Sequence, residues 1–280
     1  NEGHAVLAAT ELIREKRERL GLSFEDAWEA TRKEIVFTTH TPVPEGNEVH
    51  NHDLLRYMGA YNSLTFEEMR SLGGDPFNMT VAGLRLSYLA NGVAELHGET
   101  SRKMWKDVSD SAPIISITNG VHPGTWQDEK IRQAYEGDED LWGPHIEAKK
   151  RLLEEIKNRT GVYLNPDNIV IGFARRAAPY KRSDLIFYNR EVIEPLLDKG
   201  EVQLVFSGKA HPNDGAGKDI VKRIVAMSKR YPNSVVFLEN YDMKIGRLLT
   251  RGCDVWLNNP RRPMEASGTS GMKAAMNGVL

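Results

Sequence analysis

Nine residues, Glu265-Ala266-Ser267-Gly268-Thr269-Ser270-Gly271-Met272-Lys273, carry the densest chemistry in the chain. They follow a turn-rich stretch, Asn258 to Pro263, and run into a helix expected over Met272–Asn277. Small residues entering a helix leave backbone N–H groups and the positive end of the helix dipole facing outward, an arrangement that holds anions. Gly268 and Gly271 let the backbone approach a ligand closely, and the hydroxyls of Ser267, Thr269 and Ser270 add donors. A carboxylate at Glu265 and an amine at Lys273 bracket the loop, so the chemistry it suits is a bound phosphate with one acid and one amine beside it. A nucleotide P-loop needs glycine, four residues and then Gly-Lys-Ser/Thr; here the glycines are three apart and Met272 precedes the lysine. A Gly/Ser turn ahead of a surface helix with a solvated lysine accounts for the same residues, and composition alone does not separate the two readings.

A second cluster is Arg175-Arg176-Ala177-Ala178-Pro179-Tyr180-Lys181-Arg182, with four cations in eight residues. Guanidinium groups grip phosphate oxygens in pairs, so this loop suits an anionic substrate as well as it suits a solvated basic turn. Ser207-Gly208-Lys209-Ala210-His211 and Glu239-Asn240-Tyr241 are further polar segments, and His40-Thr41-Pro42-Val43-Pro44-Glu45-Gly46-Asn47-Glu48 is a third polar loop. No carboxylate pair stands out as acid and nucleophile. His50 and His52 have no nearby carboxylate or cysteine to complete a metal set, so no metal is expected. His97 and His122 read as polar surface or core positions.

The elements that must position these loops follow from periodicity. Apolar residues at helical spacing mark a helix over 5–20, ended by Gly21; Ser23 with Asp26 starts another, through about Glu34, and Thr65 with Glu68 caps a third. Residues 35–39 read as a strand delivering His40 at its C-terminal end, where α/β sheets bind ligands. From Met79 to Trp105 the chain is helix-compatible, with Val81, Leu84, Leu86, Leu89, Val93 and Leu96 as a core stripe. Residues 113–118 read as a strand turning at 119–123, where the domain junction is placed. A charged helix over 142–160 precedes strands at 168–174, 202–207, 234–238 and 253–257, alternating with helices near 182–197, 215–230 and 243–251. That alternation predicts a parallel, doubly wound sheet with helices on both faces, and every strand of this half empties into one of the polar loops.

The composition is that of an ordinary globular chain, 40% hydrophobic and 27% charged over 280 residues. A net charge of −2 gives no electrostatic reason to expect nucleic acid or an anionic membrane. No apolar run is long enough to span a bilayer, and a single cysteine, Cys253, fits a reducing, cytoplasmic compartment and reads as buried. Asn1-Glu2-Gly3-His4 lacks an initiator methionine, and Leu280 follows directly on the key loop, so both ends read as cut.

The run Glu265–Lys273 closely resembles the cofactor-lysine segment of the α-glucan (glycogen, starch, maltodextrin) phosphorylases. Arg176 with Tyr180-Lys181-Arg182, Gly208-Lys209-Ala210 and Glu239-Asn240-Tyr241 are similar to other segments of that family, in the same order. So are Asn1-Glu2-Gly3-His4, His40-Thr41, Asn91-Gly92-Val93-Ala94 and Thr118-Asn119-Gly120 followed by Trp126, which makes the resemblance collinear over essentially the whole chain. Thr39 before His40, where the family has asparagine, and Glu2, where it has aspartate, depart from the family's pattern; Ala177-Ala178-Pro179 before Tyr180, with Thr41-Pro42-Val43-Pro44-Glu45-Gly46-Asn47, looks like the prokaryotic branch.

The resemblance implies two Rossmann-like, doubly wound α/β domains facing across a cleft (GT-B-type), both incomplete here. Residues 1–119 would be the C-terminal part of an N-terminal glucan-binding domain, and 120–280 the start of a C-terminal domain for cofactor and phosphate. It implies a pyridoxal 5′-phosphate-dependent glycosyltransferase that phosphorolyses α-1,4-glucan to glucose 1-phosphate with retention, the cofactor's phosphate serving as acid and base. Lys273 would carry the cofactor, and Thr269 and Gly271 with Arg175 would hold its 5′-phosphate. Tyr241 and Trp126 would pack beside it. Arg176 and Lys181 would bind inorganic phosphate or the phosphate of glucose 1-phosphate. His40, with Thr41, and Asn119 would contact the glucosyl 6-hydroxyl; Glu265, Ser267, Gly268 and Tyr180 would contact its 2- and 3-hydroxyls; Glu2 and His4 would line the approach of the acceptor sugar. Lys273, Arg176, Lys181 and His40 are thus the catalytic candidates. The resemblance also implies a homodimer or larger assembly, and a glycine-rich phosphate loop preceding residue 1, so that this segment alone is expected to be inactive. The competing readings are a nucleotide-sugar-dependent glucosyltransferase of glycogen-synthase type, which has no use for an amine at Lys273, and an inactive glucan-binding fragment.

Overall fold

The computed structural model describes residues 2–43 and 46–280; Asn1, Pro44 and Glu45, which enter two of the motif segments above, lie outside the described residues. The chain divides into two compact units, Asn1–Asn119 with Pro263–Ser267, and Gly120–Arg262 with Gly268–Leu280.

In the first unit, helix α1 (Leu7–Leu20) ends where Gly21 takes a left-handed φ of 66° and its N–H returns to the Arg17 carbonyl. Helix α2 (Phe24–Arg32) starts with the Ser23 hydroxyl accepting the Asp26 N–H. Strand β1 (Val36–Thr39) is followed by β2 (Val49–His50) and α3 (His52–Tyr57). Next comes α4 (Phe66–Gly73), which opens with the reciprocal Thr65–Glu68 capping box that the sequence predicted. Strand β3 (Phe77–Asn78), which pairs antiparallel with β2, leads into α5 (Met79–Arg85). The unit continues with β4 (Leu89–Gly92), α6 (Glu95–Met104) and β5 (Ile114–Ser116). Strands β1, β4 and β5 form a parallel sheet in that order, over a core that includes Ile13, Phe37, Met69, Leu72, Phe77 and Leu84.

The helical stripe expected from Met79 to Trp105 is therefore broken by β4. Ala90 and Asn91 sit buried between two parallel neighbours, and the hydrogen bonds those neighbours offer outweigh a helical apolar spacing that a short buried strand satisfies equally well. The Ser87 hydroxyl donates to the Gly83 carbonyl at 2.8 Å just past the end of α5.

The second unit runs α7 (Pro123–Trp126), α8 (Glu129–Glu136), α9 (Trp142–Thr160) and β6 (Ile169–Ala174). It continues α10 (Arg190–Asp198), β7 (Val202–Ser207), α11 (Gly215–Arg230), β8 (Val235–Leu238), α12 (Met243–Gly252), β9 (Val255–Trp256) and α13 (Thr269–Ala275). Its sheet is parallel throughout, in the order β8-β7-β6-β9. Because successive side chains point to opposite faces, β6 sends Val170 and Ala174 into a core with Leu152, Ile156 and Leu249, while Phe173 joins Leu197, Phe206, Ile220 and Ile224. Helices cover both faces, as the strand–helix alternation requires. Cys253 is buried, and burial pushes its thiol up, out of the reactive range.

Two boundaries differ from expectation. No helix spans 182–197: Arg182 takes a left-handed φ of 54°, its guanidinium donating to the Asn259 carbonyl at 2.7 Å, and regular helix starts only at Arg190. Helix α13 starts at Thr269, three residues before the expected Met272, because Gly268 supplies the left-handed turn (φ 72°) that lets it begin.

Candidate functional site

The order β8-β7-β6-β9 means the chain steps outward from β6 through β7 to β8, then returns to the other side of β6. Adjacent loops diverge at such a switch point, and ligands of parallel α/β sheets bind outside the strand C-termini there. The loop after β6 is the cation cluster 175–182, and the loop after β9 leads to α13 and Lys273.

Backbone contacts hold these loops. The Arg175 N–H donates to the Ser207 carbonyl at 3.3 Å and the Ala177 N–H to the Lys209 carbonyl at 2.9 Å, tying the loop after β6 to Gly208-Lys209-Ala210. Gly208 has φ 142°, and a Cβ there would lie 2.0 Å from the Arg175 carbonyl oxygen, so only glycine fits the approach. On the other side the Arg261 N–H donates to the Tyr180 carbonyl at 2.8 Å, and the Asn259 amide returns to the Arg182 carbonyl at 3.2 Å. Arg182, predicted among the ligand-facing cations, thus joins two loops through carbonyl groups. Arg175 and Lys181 are buried, Lys181 with its ammonium 4.8 Å from the Tyr180 ring centroid. Arg176 is exposed and donates to the Tyr180 hydroxyl at 3.4 Å.

Lys273 lies on the half-buried stretch of α13, with Nζ 3.5 Å from the centroid of the Trp126 ring. Burial holds its amine below the ordinary lysine range, which raises the share of neutral, nucleophilic amine at neutral pH. Gly246 of α12 forms the floor beside it: a Cβ there would meet the Tyr241 hydroxyl at 2.8 Å and the Trp126 ring at 3.5 Å. Burial, and then the Asp242 charge, push the Tyr241 phenol upward, so it stays a protonated donor. Thr269 and Gly271 form the first turn of α13, where a Cβ on Gly271 would come 3.1 Å from the Asn258 amide nitrogen. Ser270 accepts from the Trp256 indole N–H at 3.2 Å.

Sequence reasoning missed the residues that hold Trp126 and Lys273 together. The Arg251 guanidinium donates to the carbonyls of Thr125, Trp126 and Gln127 at 3.1, 3.1 and 2.9 Å. Asn277, 1% exposed, donates to the Trp126 carbonyl at 3.0 Å and the Lys273 carbonyl at 2.7 Å, and accepts the Asp128 N–H at 2.7 Å. The only signal in sequence was that Asn277 stands four residues after the lysine, one helical turn on.

The first unit carries its own cluster at the C-terminal edge of its sheet. His40 and Thr41 follow β1, and the Asn119 N–H, beyond β5, donates to the Val93 carbonyl at 3.0 Å past the end of β4. Glu2 accepts the His40 N–H at 2.8 Å and the Thr41 hydroxyl at 3.0 Å through one oxygen, and its other oxygen lies 3.1 Å from His40 Nδ1. Glu2 therefore shapes the His40 loop. His4 is exposed. His97, assigned no role from sequence, is 1% exposed and accepts the Val93 N–H at 3.1 Å through Nδ1. Burial, and then the neighbouring His40, lower its pKa, so it is neutral at pH 7. Glu265 and Ser267 group with this unit; Gly268 opens α13 in the other, and Ser267 Oγ is buried with no hydrogen-bond partner among the described residues. Among the described residues no group of His, Cys, Asp or Glu could hold a metal ion, and no helix is long and apolar enough to cross a membrane.

A half-buried amine with lowered pKa on an aromatic face, a protonated tyrosine and a close-packed glycine floor beside them are groups that could hold a phosphorylated aromatic aldehyde. Comparison with known proteins identifies the family. Residues 129–280 match the carbohydrate phosphorylase family. The maltodextrin phosphorylase of Thermococcus litoralis is 38% identical over all of this chain and 39% of that protein's length. The glycogen phosphorylase of Aquifex aeolicus is 36% identical over 93% of this chain and 46% of its own. That of Mycobacterium tuberculosis is 36% identical over all of this chain and 39% of its own. The chain thus spans less than half the length of these three relatives.

Proposed function

The chain belongs to the carbohydrate phosphorylase family, and from that premise we propose that it carries the catalytic part of a pyridoxal 5′-phosphate-dependent α-glucan phosphorylase. The observation that carries the reading is the Lys273 amine seated on Trp126, on the helix that follows β9, the strand next to β6, whose own C-terminal loop carries the cations. The proposed substrates are α-1,4-glucan and inorganic phosphate, the product is glucose 1-phosphate, and the parent protein is a homo-oligomer of the cytoplasm. In this reading residues 1–119 are the glucan-binding part and 120–280 the cofactor and phosphate part of two Rossmann-like domains facing across a cleft.

Lys273 anchors the cofactor, with Trp126 and Tyr241 against its ring and Thr269, Gly271 and Arg175 at its 5′-phosphate. When bound, the cofactor supplies a phosphate whose second pKa, near ~6, suits proton exchange at neutral pH. Arg176 and Lys181 hold the substrate phosphate, and the cations around it offset the repulsion of two neighbouring dianions. His40, Thr41 and Asn119 orient the glucosyl 6-hydroxyl; Glu265, Ser267, Gly268 and Tyr180 orient the 2- and 3-hydroxyls; Glu2 and His4 lie toward the acceptor. The bond from C1 to the departing 4-oxygen breaks through an oxocarbenium-like state. The substrate phosphate gives that oxygen its proton and bonds to C1 on the same face, which retains configuration.

The test is borohydride reduction of the full-length protein supplied with pyridoxal 5′-phosphate, followed by peptide mapping and an assay for phosphate-dependent release of glucose 1-phosphate. A pyridoxyl group on Lys273 with glucose 1-phosphate formed is the expected result. A folded protein with Lys273 unlabelled would move the assignment to a nucleotide-sugar glucosyltransferase.

A further inference from the structure

Lys273 and Trp126 belong to separate short helices, α13 and α7, and their side chains meet only because the two backbones are held at one distance. The side chain that joins both carbonyls is Asn277. Its amide nitrogen donates to the Lys273 carbonyl at 2.7 Å and to the Trp126 carbonyl at 3.0 Å, while its oxygen accepts the Asp128 N–H at 2.7 Å. Both donors and the acceptor are thus engaged, and the side chain is almost wholly buried. Gln127 adds a parallel tie, donating through its side-chain amide to the Met276 carbonyl at 2.9 Å. Arg251 fixes α7 from behind by donating to three successive carbonyls, and it touches neither Lys273 nor its helix in any of these bonds.

An amide that satisfies two carbonyls of different helices and one N–H can do so at only one separation, because each bond weakens steeply as distance and angle depart from their optimum. The separation it selects is the one that lays the lysine amine on the indole face. We propose that Asn277 is a positioning residue for Lys273: by joining the Trp126 and Lys273 carbonyls it presents the neutral amine on the Trp126 ring, poised for attack on an aldehyde carbon, whose oxygen leaves as water with the two amine protons as the C–N double bond forms. The inference rests on the reading of Lys273 as the cofactor's anchor. The Asn277 amide is buried and its three partners are backbone groups, so Asn277 acts on the rate of covalent capture and not on the fit of the ligand itself. Approach within about 3–3.5 Å in the right orientation is what makes such a capture fast.

The experiment separates fit from capture in the full-length protein. Affinity for pyridoxamine 5′-phosphate, which has no aldehyde, reports fit; the rate at which pyridoxal 5′-phosphate becomes borohydride-trappable on Lys273 reports capture. For Asn277→Ala the expected result is a capture rate at least tenfold lower, with pyridoxamine 5′-phosphate affinity within about threefold of wild type. Trp126→Leu should lower the capture rate similarly, and the double variant should be no slower than the slower single, since the two residues act as one unit. An unchanged capture rate in folded Asn277→Ala overturns the proposal, as does a parallel loss of both readouts, which would mark a purely structural residue. Should Asn277→Ala fail to fold, Asn277→Ser gives the same two readouts, and the same outcomes support or overturn the proposal. A wild-type protein that binds pyridoxamine 5′-phosphate but never labels Lys273 would instead fail the reading of the lysine itself, and the inference with it.

Discussion

The two edges of the second unit's sheet use charge in opposite ways. At the N-terminal edge, Lys149 is 3% exposed and its ammonium donates to Asp254 Oδ2 at 2.7 Å and to the Asn168 carbonyl at 2.8 Å. Asp254 also accepts from His145 Nε2 at 2.8 Å and from the Val170 N–H at 2.7 Å. Here each buried charge has its partner, and the cluster pins α9 to the starts of β6 and β9. At the C-terminal edge, backbone bonds, a glycine and side-chain bonds to carbonyls from Arg182 and Asn259 do the pinning, and Arg176 is left exposed. Paired, buried charge holds the N-terminal edge together, whereas the loops of the C-terminal edge carry the cations that the proposed function assigns to a ligand.

The sharpest way to break that comparison is to remove one charged residue from each edge. Lys273→Ala should cut phosphate-dependent release of glucose 1-phosphate by roughly 10²–10⁴-fold, the scale of losing the group that supplies acid–base catalysis. It should leave thermal unfolding nearly unchanged. Retained activity would remove Lys273 from the chemistry. Asp254→Ala should do the reverse. Stripping one partner from a buried pair leaves Lys149 uncompensated and costs about 3–5 kcal/mol. Calorimetry should show a fall in Tm of roughly 10 °C, with activity intact below the transition. A Tm within a degree or two of wild type would mean the N-terminal cluster holds nothing.

The same carboxylate adds a pH arm. Burial works against its ionisation, but hydrogen bonds from His145, Lys149 and the Val170 N–H outweigh it and hold its pKa below the ordinary aspartate value. A depressed folded pKa contributes stability that is present above the unfolded value, about 3.9, and lost as pH falls through the folded one. Denaturant unfolding followed below about pH 4 should therefore show a steeper acid loss in wild type than in Asp254→Ala. Parallel acid limbs would show that Asp254 titrates alike in both states.

The contrast between edges also explains what could be read from residues alone. Strand–helix alternation in the second half was legible because β6, β7 and β8 are mostly apolar, β-branched and aromatic runs, and the caps at Ser23 and Thr65 were legible because capping chemistry is local. Strand β4 was not, because Leu89–Gly92 is a strand by virtue of β1 and β5, which lie far away in sequence. Lys273, Arg175 and Lys181 announced themselves by type and order. Asn277 and Arg251 did not: a buried asparagine or arginine bonding to carbonyls has no motif, and their partners around Trp126 lie about 125–150 residues away. Resemblance named candidate ligand residues and was silent on Asn277 and Arg251, which hold Trp126 in place.

The smallest expected effect tests whether backbone alone pins the ligand edge. Alanine at Gly208 must place a methyl 2.0 Å from the Arg175 carbonyl oxygen at a φ of 142°, a region L-residues avoid. Two adjustments are open. The loop after β7 can swing away, which sacrifices the bond from the Ala177 N–H to the Lys209 carbonyl, or Arg175 can move with its loop. Either costs on the order of 1–3 kcal/mol of local strain. It also displaces the loop after β6, which carries Arg176 and Lys181, so affinity for inorganic phosphate should drop more than stability predicts, by about tenfold, while the Asp254 cluster at the far edge keeps its acid limb unchanged. Isothermal titration with phosphate alongside a urea melt reads both quantities. Equal, small losses in both would mean the loop after β6 is held by something other than its backbone contact with Gly208.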